Sequence, residues 1–278
     1  MATNNAQANE YNATLTDRVE VTPNLLICKV KPDAGSYPFE AGQFAVLGLK
    51  RKEARIPEAT SEEVPEEKAE RLIRRAYSIS SASHEDSLEF YLSLVSSGEL
   101  TPRLFALKEG DRLFLGKSAS GFFTLDRVPA GKQILMVATG TGLAPYISMI
   151  RTMALGIGCP AVPIAVMHGA SYSWDLGYRT ELESLARECG HFRYIPVVSR
   201  PEEDKDWSGR TGRLNEWMEN KSGLEEACGF ALDPAKSDIF LCGNPAMVEF
   251  GEKHFVENHG YDAGSKKAPG TLHAEKYW

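Results

Sequence analysis

Four consecutive residues, Arg75, Ala76, Tyr77 and Ser78, carry the most distinctive chemistry of this chain. In an extended strand, Arg75 and Tyr77 project to one face, and Ala76 and Ser78 project to the other. A guanidinium can bind a phosphate through two parallel hydrogen bonds. A phenol ring can stack on a flat aromatic ring, and a hydroxyl can hydrogen-bond a ring nitrogen. The stretch therefore predicts contacts that suit a flavin nucleotide, although an isolated pattern of this kind is more often an ordinary β-strand.

A second phosphate-binding feature is predicted between Gly98 and Leu107. Thr101 is the expected N-cap of a helix, and Pro102 is its expected first residue. A helix N-terminus presents free N–H groups and the positive end of the helix dipole, which suit a phosphate. Most helix starts bind nothing, so this feature gains its weight from Arg75 upstream.

A glycine-rich turn follows an apolar stretch at Gln133–Ala138 and precedes a predicted helix. Gly140 and Gly142 permit a close approach of the backbone to a ligand, and the helix start offers N–H groups to a pyrophosphate. The third glycine of the usual dinucleotide fingerprint is absent, because Leu-Ala-Pro145 follows Gly142.

Arginines at the ends of predicted strands favour NADP over NAD. The second strand of this half runs into His168-Gly-Ala170-Ser171 without an acidic residue that would hold a ribose 2′-hydroxyl. The third strand ends at Ser199-Arg200, and Arg210 and Arg213 follow. Such arginines suit a 2′-phosphate, although arginines in solvated loops are as common.

Two further features concern the end of the chain. Cys242-Gly-Asn-Pro ends the fourth predicted strand, where ligands bind in open α/β sheets, and Cys242 is either part of that site or a small core residue. Tyr277 and Trp278 require a surface to cover, which is either a core groove or a planar cofactor. The histidines and carboxylates show no ligand spacing, so no metal site is predicted.

Composition sets the broad class. The 278 residues are enough for two domains, and a net charge of -7 argues against general nucleic-acid binding. No apolar run approaches the roughly 18 residues that span a bilayer, and the polar N-terminus does not resemble a secretory signal, so a cytoplasmic location is expected. The cysteines are odd in number and scattered, which predicts free thiols and no cysteine-ligated iron–sulfur cluster: Cys28, Cys159, Cys189, Cys228 and Cys242.

The pattern of elements predicts two domains of different class. Short strands separated by turn residues indicate an antiparallel β-barrel at 16–130, after a flexible leader at 1–15. Alternating strands and helices indicate a parallel-sheet α/β domain at 131–278. The dense charges of 51–71 predict a solvated loop or a short surface helix.

Taken in order, the motifs resemble the ferredoxin–NADP reductase family, and in particular its bacterial branch, which also reduces flavodoxin. The resemblance covers most of the chain and rests on R-A-Y-S, G-E-L-T-P-R-L, G-F-F-x-L-D, A-T-G-T-G-L-A-P, V-V-S-R, T-G-R, C-G-N-P-x-M-V and A-E-K-Y-W. It implies an FAD-binding β-barrel followed by an NADP-binding α/β domain. The implied activity is electron transfer between NADP(H), or NADH, and ferredoxin or flavodoxin by a monomeric enzyme.

The resemblance also implies roles for individual residues. Ser78, Tyr77 and Cys242 would contact the reacting rings. The implied FAD contacts are Arg75, Ala76, Tyr77, Ser78, Tyr91, Glu99, Leu100, Thr101, Thr141, Tyr277 and Trp278. The implied NADP contacts are Gly140, Gly142, Ala170, Ser171, Ser199, Arg200, Arg210, Arg213, Gly243, Asn244 and Pro245.

The chain departs from the family pattern at two places. Relatives usually carry an arginine where this chain has Ser171, which leaves the choice between NADPH and NADH open. The charged segment 51–71 is longer than the bacterial pattern, and its role is open. Two other functions remain as alternatives: a reductase component that serves an oxygenase, and a flavin-binding redox sensor without turnover.

Overall fold

The computed structural model describes residues 10–265 and 268–277, and the chain divides into two compact units at Gly121–Phe122. The sequence placed this division at 130–131. Of the predicted leader, residues 1–9 lie outside the described part, and the first strand already begins at Ala13.

The described part of the first unit, from residue 10 onward, contains six strands, all paired antiparallel, in the order β4-β3-β6-β1-β2-β5. A bridge between Ile79 and Phe90 joins the two outer strands, so the sheet closes on itself as a small barrel. The strands are β1 (Ala13–Thr22), β2 (Leu25–Pro32), β3 (Phe44–Lys50), β4 (Leu72–Ser78), β5 (Leu88–Ser93) and β6 (Arg112–Leu115), and the helices are α1 (Glu66–Ala69) and α2 (Thr101–Ala106).

Alternating apolar residues explain how the barrel fills its interior. On β2, Leu26, Cys28 and Val30 are buried, whereas the residues between them are more exposed, as a period of two requires. Leu47 and Leu49 of β3 join the same core. This packing fixes which face of β4 points outward, because a slip of one residue would reverse every side chain.

The second unit contains a six-stranded parallel sheet in the order β10-β9-β8-β7-β11-β12. Because the strands are parallel, all their carboxyl ends lie at one edge. The strands are β7 (Gln133–Thr139), β8 (Ile164–Ala170), β9 (Phe192–Val198), β10 (Arg210–Thr211), β11 (Ser237–Gly243) and β12 (Leu272–Lys276). The helices are α3 (Ala144–Ile157), α4 (Arg179–Glu188), α5 (Leu214–Glu219), α6 (Lys221–Cys228) and α7 (Pro245–His259). The predicted fold class, a barrel followed by a parallel α/β sheet, is confirmed.

The C-terminal segment is more regular than an aromatic tail. β12 pairs in parallel with β11 from Leu272 to Lys276, and the N–H of Tyr277 donates to the carbonyl of Gly243 (2.9 Å). The strand therefore carries Tyr277 to the carboxyl edge of the sheet. Trp278 lies outside the described residues.

The prediction that all five cysteines are free is wrong for two of them. Cys159 and Cys189 form a disulfide with their Cα atoms 5.5 Å apart, whereas Cys28, Cys228 and Cys242 are buried thiols. The disulfide partners are 30 residues apart in the sequence. They meet because each follows a helix and precedes a strand at the amino edge of the sheet, which cysteine spacing alone does not reveal.

Among the described residues, no helix combines the length and the apolar character that crossing a membrane requires.

Candidate functional site

Strand β4 presents the R-A-Y-S stretch in the predicted manner. Arg75 pairs with the backbone of Leu47 and has a side chain that is 55% exposed. Tyr77 lies two residues further on the same face, packs against the barrel core, and has its phenol pKa raised above the usual range by burial. Ser78 is buried, as is Tyr91 of β5. An exposed cation therefore stands beside a half-buried aromatic ring.

Glu99 occupies a position that the sequence did not foresee. One carboxylate oxygen accepts from Nη2 of Arg75 (2.9 Å), and the other accepts from Nη2 of Arg51. The resemblance implied that the backbone of Glu99 contacts the FAD pyrophosphate, and this contact stays a prediction. The side chain of Glu99 binds the arginine that is expected to contact the same group.

The start of helix α2 differs by one residue from the prediction. Leu100, which is buried, is the N-cap residue, Thr101 is the first helical residue, and Pro102 is the second. The Thr101 hydroxyl accepts from the N–H of Val95 (3.0 Å) and donates to its carbonyl (3.2 Å). The hydroxyl ties the helix to the preceding loop, so it does not cap the helix as predicted.

The charged segment 51–71 is only partly the solvated stretch that was expected. It contains the short surface helix α1, none of whose residues is buried. Its other half turns inward, because Glu62 accepts from Arg55 (2.6 Å) and from Arg103 of α2 (2.8 Å). Arg103 is 1% exposed and also donates to the carbonyl of Arg51. The segment is thus anchored to the loop and helix at 96–103 by buried ion pairs.

In the second unit, two glycines allow two strand ends to touch. A Cβ atom on Gly142 would lie 2.5 Å from the carbonyl oxygen of Cys242, and one on Gly243 would lie 2.4 Å from Oγ1 of Thr139. Gly140 has a φ of +52°, which favours glycine, and a Cβ there would meet nothing within 4 Å. The backbone turn is therefore compact on the side of β11 and open at Gly140.

Cys242 is buried, whereas Asn244 is exposed and caps a helix, and their contacts with the nicotinamide half stay a prediction. The Cys242 side chain is fully buried, and burial raises the pKa of its thiol well above the usual value, so the thiol is protonated. The Asn244 side chain accepts from the N–H groups of Ala246 and Met247, which makes it the N-cap of α7, and Pro245 is the first helical residue.

The ends of β8 and β9 bring several predicted NADP residues together. The N–H of Ser199 donates to the carbonyl of Ala170 (3.0 Å), and the N–H of Arg200 donates to that of Ser171 (3.1 Å). Arg210 on β10 pairs with the neighbouring β9, and Arg213 follows it. All three arginines are exposed at this edge.

Three residues near Arg200 were missed by sequence reasoning. Arg200 donates to the hydroxyl of Tyr172 (3.2 Å), and that hydroxyl donates to Glu203 (2.7 Å). The rings of Tyr172 and Trp174 stack with their centroids 4.7 Å apart, and Trp174 is 51% exposed. The only available signal was the pair of aromatics following Ser171. The edge thus combines a cation, a flat aromatic surface and one acidic side chain.

His168 is a fourth missed residue, and it contacts the backbone of the glycine-rich turn. It is fully buried on β8, with Nε2 3.2 Å from the carbonyl oxygen of Gly140 and Nδ1 3.1 Å from the hydroxyl of Tyr194. Burial lowers its pKa from 6.5 to about 4, so the ring is neutral at pH 7. A neutral ring satisfies both contacts if Nε2–H donates to Gly140 and Nδ1 accepts from Tyr194.

We expect His168 to make the protein sensitive to acid. Between pH 6.5 and pH 4 the unfolded chain binds a proton on His168 that the folded chain does not, so stability falls as the pH falls through this window. The loss reaches roughly 3 kcal/mol at the acid end. His168→Gln, which cannot titrate, should flatten this part of the curve of unfolding free energy against pH. The exposed His84→Gln is the control, and equal slopes for both variants would contradict the assignment.

Comparisons with known proteins agree with this geometry. The sequence model of a family described as "Oxidoreductase NAD-binding domain" matches residues 136–253. The chain is 33% identical to a flavodoxin/ferredoxin–NADP reductase of Buchnera aphidicola subsp. Baizongia pistaciae, over 87% of this chain and 88% of that protein. It is 35% identical to the corresponding protein of Escherichia coli K12, over the same shares.

A solved structure extends the likeness to nearly the whole chain. A ferredoxin NADP+ reductase from Neisseria gonorrhoeae, solved with bound FAD and NADP, superposes with a TM-score of 0.79 and 27% identity. The match covers 96% of this chain and 98% of that one. Together with the barrel, the parallel sheet and the arrangement of their strand ends, these likenesses show that the chain belongs to the flavodoxin/ferredoxin–NADP reductase family of oxidoreductases.

Proposed function

We propose that this enzyme transfers electrons between NADP(H) and ferredoxin or flavodoxin with FAD as its cofactor. The observation that carries the proposal is the arrangement on β4, where an exposed arginine stands beside a half-buried tyrosine and a buried serine. These side chains fit a flavin diphosphate: Arg75 supplies charge for a phosphate, and Tyr77 supplies a flat apolar face. The names of the relatives support the same pair of nucleotides and the same acceptors.

The chemistry belongs largely to the cofactor, and the protein binds and orients it. When bound, FAD would supply the redox chemistry that joins a two-electron hydride donor to a one-electron acceptor. Arg75 anchors the diphosphate, Tyr77 restrains the ring, and Ser78 places a hydroxyl at the end of the strand. Cys242 contributes a protonated, buried thiol that shapes the strand end without acting as a base.

The carboxyl edge of the parallel sheet is proposed to bind NADP(H). Gly140 leaves one side of the turn open for a pyrophosphate, and Gly142 lets the turn pack closely against the end of β11. Arg200, Arg210 and Arg213 supply positive charge for a 2′-phosphate. Tyr172 and Trp174 offer a flat surface of the kind that suits an adenine ring. Thr141 is buried within the turn and supports its shape.

The proposal is tested on the purified full-length chain. We expect a yellow protein whose flavin absorbance is bleached by NADPH within seconds and recovers on addition of oxidised ferredoxin or flavodoxin. A protein whose bound flavin is reduced by neither NADPH nor NADH would overturn the proposal and leave the redox-sensor alternative. If the flavin absorbance recovers only with the iron–sulfur protein of an oxygenase, the alternative of a reductase component that serves an oxygenase is favoured.

Nucleotide preference depends mainly on Arg200, since Ser171 carries no charge. Arg200→Ala should raise the KM for NADPH about 10- to 100-fold and change the KM for NADH little, because one charge-assisted contact to the 2′-phosphate is lost. The matched control is Arg187→Ala, because Arg187 is an exposed arginine of α4 that donates to the Ser184 hydroxyl. Equal changes for both nucleotides would show that Arg200 does not bind the 2′-phosphate.

The remaining expectations concern the environment of the protein. We infer a monomer located in the cytoplasm. The cytoplasmic location is supported by the three of five cysteines that are buried thiols. The disulfide between Cys159 and Cys189 argues against a reducing compartment, where disulfides are rare. Sedimentation and cell fractionation, with trapping of free thiols at lysis, test both points.

A further inference from the structure

Six charged residues of the barrel form one connected group, called here the arginine cluster: Arg51, Arg55, Arg75, Arg103, Glu62 and Glu99. Glu62 lies at its inner end and accepts from Arg51 (2.9 Å), Arg55 (2.6 Å) and Arg103 (2.8 Å). Glu99 lies at its outer end and accepts from Arg51 and from Arg75 (2.9 Å). Arg51 joins the two ends, because it contacts both carboxylates.

The charges of the cluster do not balance. Its four arginines carry +4 and its two glutamates carry −2, which leaves +2 among these described contacts. The diphosphate of FAD carries two negative charges at neutral pH. A group with this surplus at low exposure attracts a dianion strongly, since the Coulomb energy grows as water is excluded. The surplus positive charge of the cluster is therefore equal in size and opposite in sign to the charge of the diphosphate.

Burial separates the inner part of the cluster from the outer part. The side chain of Arg103 is 1% exposed, whereas those of Glu99 and Arg75 are 35% and 55% exposed. Arg55 also donates to the carbonyls of Gly98 and Thr60. The inner residues thus form a well-connected frame, and Glu99 and Arg75 lie at its solvent-exposed end.

The frame also fixes the direction of Arg51. Its backbone N–H continues the β3–β4 ladder by donating to the carbonyl of Arg71 (3.0 Å), and it stands four residues after Leu47, the partner of Arg75. Residues separated by an even number share a face of a strand, so Arg51 and Arg75 project to the same side. With Nη1 held by Glu62, Arg51 directs Nη2 to the same carboxylate as Arg75.

We propose that Glu99 holds the place of a phosphate, and that Arg51 is a second cation for the diphosphate of FAD, supplied by the charged segment 51–71. A carboxylate that bridges two guanidiniums mimics the paired oxygens of a phosphate. On binding, a phosphate replaces the carboxylate between the two Nη2 atoms, and Glu99 moves into solvent. The inference rests on the proposed binding of FAD. It adds Arg51 to the FAD site, together with the exchange of the Glu99 carboxylate for a phosphate.

The experiment measures the affinity of the flavin-free, full-length protein for FAD by quenching of flavin fluorescence. Arg51→Met should weaken FAD binding about 10- to 100-fold, the effect of losing a charged hydrogen bond to a phosphate. It should leave binding of riboflavin, which has no phosphate, unchanged. The control is Lys52→Met, which removes the adjacent cation, paired with Glu70, and should keep FAD affinity within about twofold.

The variant Glu99→Gln tests whether Glu99 occupies the position of a phosphate or helps to form the FAD site. Removing the competing charge should tighten FAD binding by about three- to tenfold, while the flavin-free protein melts at a lower temperature because two arginines lose their anion. If Glu99 instead supports the FAD site, Glu99→Gln should weaken FAD binding. That result would overturn the proposal that Glu99 holds the place of a phosphate. If Arg51→Met does not fold, Arg51→Lys keeps the charge and should bind FAD more tightly than Arg51→Ala.

Failure of the inference can be told apart from failure of the proposed function. If the unmodified protein binds FAD, and Arg75→Ala weakens that binding while Arg51→Met behaves like Lys52→Met, only the inference is wrong. If the unmodified protein does not bind FAD, or Arg75→Ala changes nothing, the proposed cofactor site itself is wrong.

Discussion

Replacing Gly142 with alanine is expected to lower the rate of flavin reduction by NADPH at least about 100-fold while the flavin stays bound, which corresponds to roughly 3 kcal/mol. The added Cβ would lie 2.5 Å from the carbonyl oxygen of Cys242 and 2.7 Å from the Cα of Gly243. These are backbone atoms at the end of a central strand, so they cannot move aside as a flexible side chain can. The turn itself must shift, and with it the surface proposed to bind the pyrophosphate.

The measurement is stopped-flow reduction of the bound flavin, combined with the flavin content and melting temperature of each variant. The matched control is Gly190→Ala, because a Cβ at Gly190 meets nothing within 4 Å and the residue precedes β9 in the same unit. A Gly142→Ala enzyme that is reduced at the unmodified rate would show that this turn does not take part in binding.

Replacing Arg103 with methionine is expected to destabilise the barrel by about 3 kcal/mol or more, the usual cost of breaking a buried ion pair from one side. Arg103 donates to Glu62 and to the carbonyls of Arg51 and Glu99, and methionine offers none of these bonds. The loss corresponds to a fall of roughly 10 °C in melting temperature. Because the segment at 51–62 loses its anchor, FAD should also dissociate more readily.

Thermal unfolding of the flavin-free protein measures the first effect, and flavin release on dilution measures the second. Arg71→Met is the control, since Arg71 is an exposed arginine of the same segment. A small change in melting temperature for Arg103→Met, similar to that of Arg71→Met, would mean that the ion pairs around Glu62 contribute little net stability.

The sequence predicted those parts of the site that are local in the chain. Arg75, Tyr77 and Ser78 share one strand, and the glycine-rich turn lies between a strand and a helix. The alternation of residues along the strand and the residue types of the turn were therefore enough to predict both. The two-domain class followed from the same patterns. The error at Thr101 was of one residue, because its hydroxyl bonds to Val95 six residues earlier rather than to the helix.

The missed features all depend on residues that are far apart in the sequence. Arg51 and Glu99 are separated by 48 positions, and His168 and Tyr194 by 26. No local pattern reveals such partners, because a charged or polar side chain looks the same in a sequence whether it ends in solvent or in an ion pair. Segment 51–71 therefore appeared solvated, although Glu62 is bound to three arginines.

The disulfide between Cys159 and Cys189 has a mechanical consequence for the parallel sheet. It lies where the chain enters β8 and β9, at the edge opposite Ser171 and Arg200. Sliding of β8 along β9 is therefore restricted covalently at one end, while the other end is held by hydrogen bonds alone. We therefore expect any adjustment to dinucleotides of different charge to occur in the loops at the far ends of these strands.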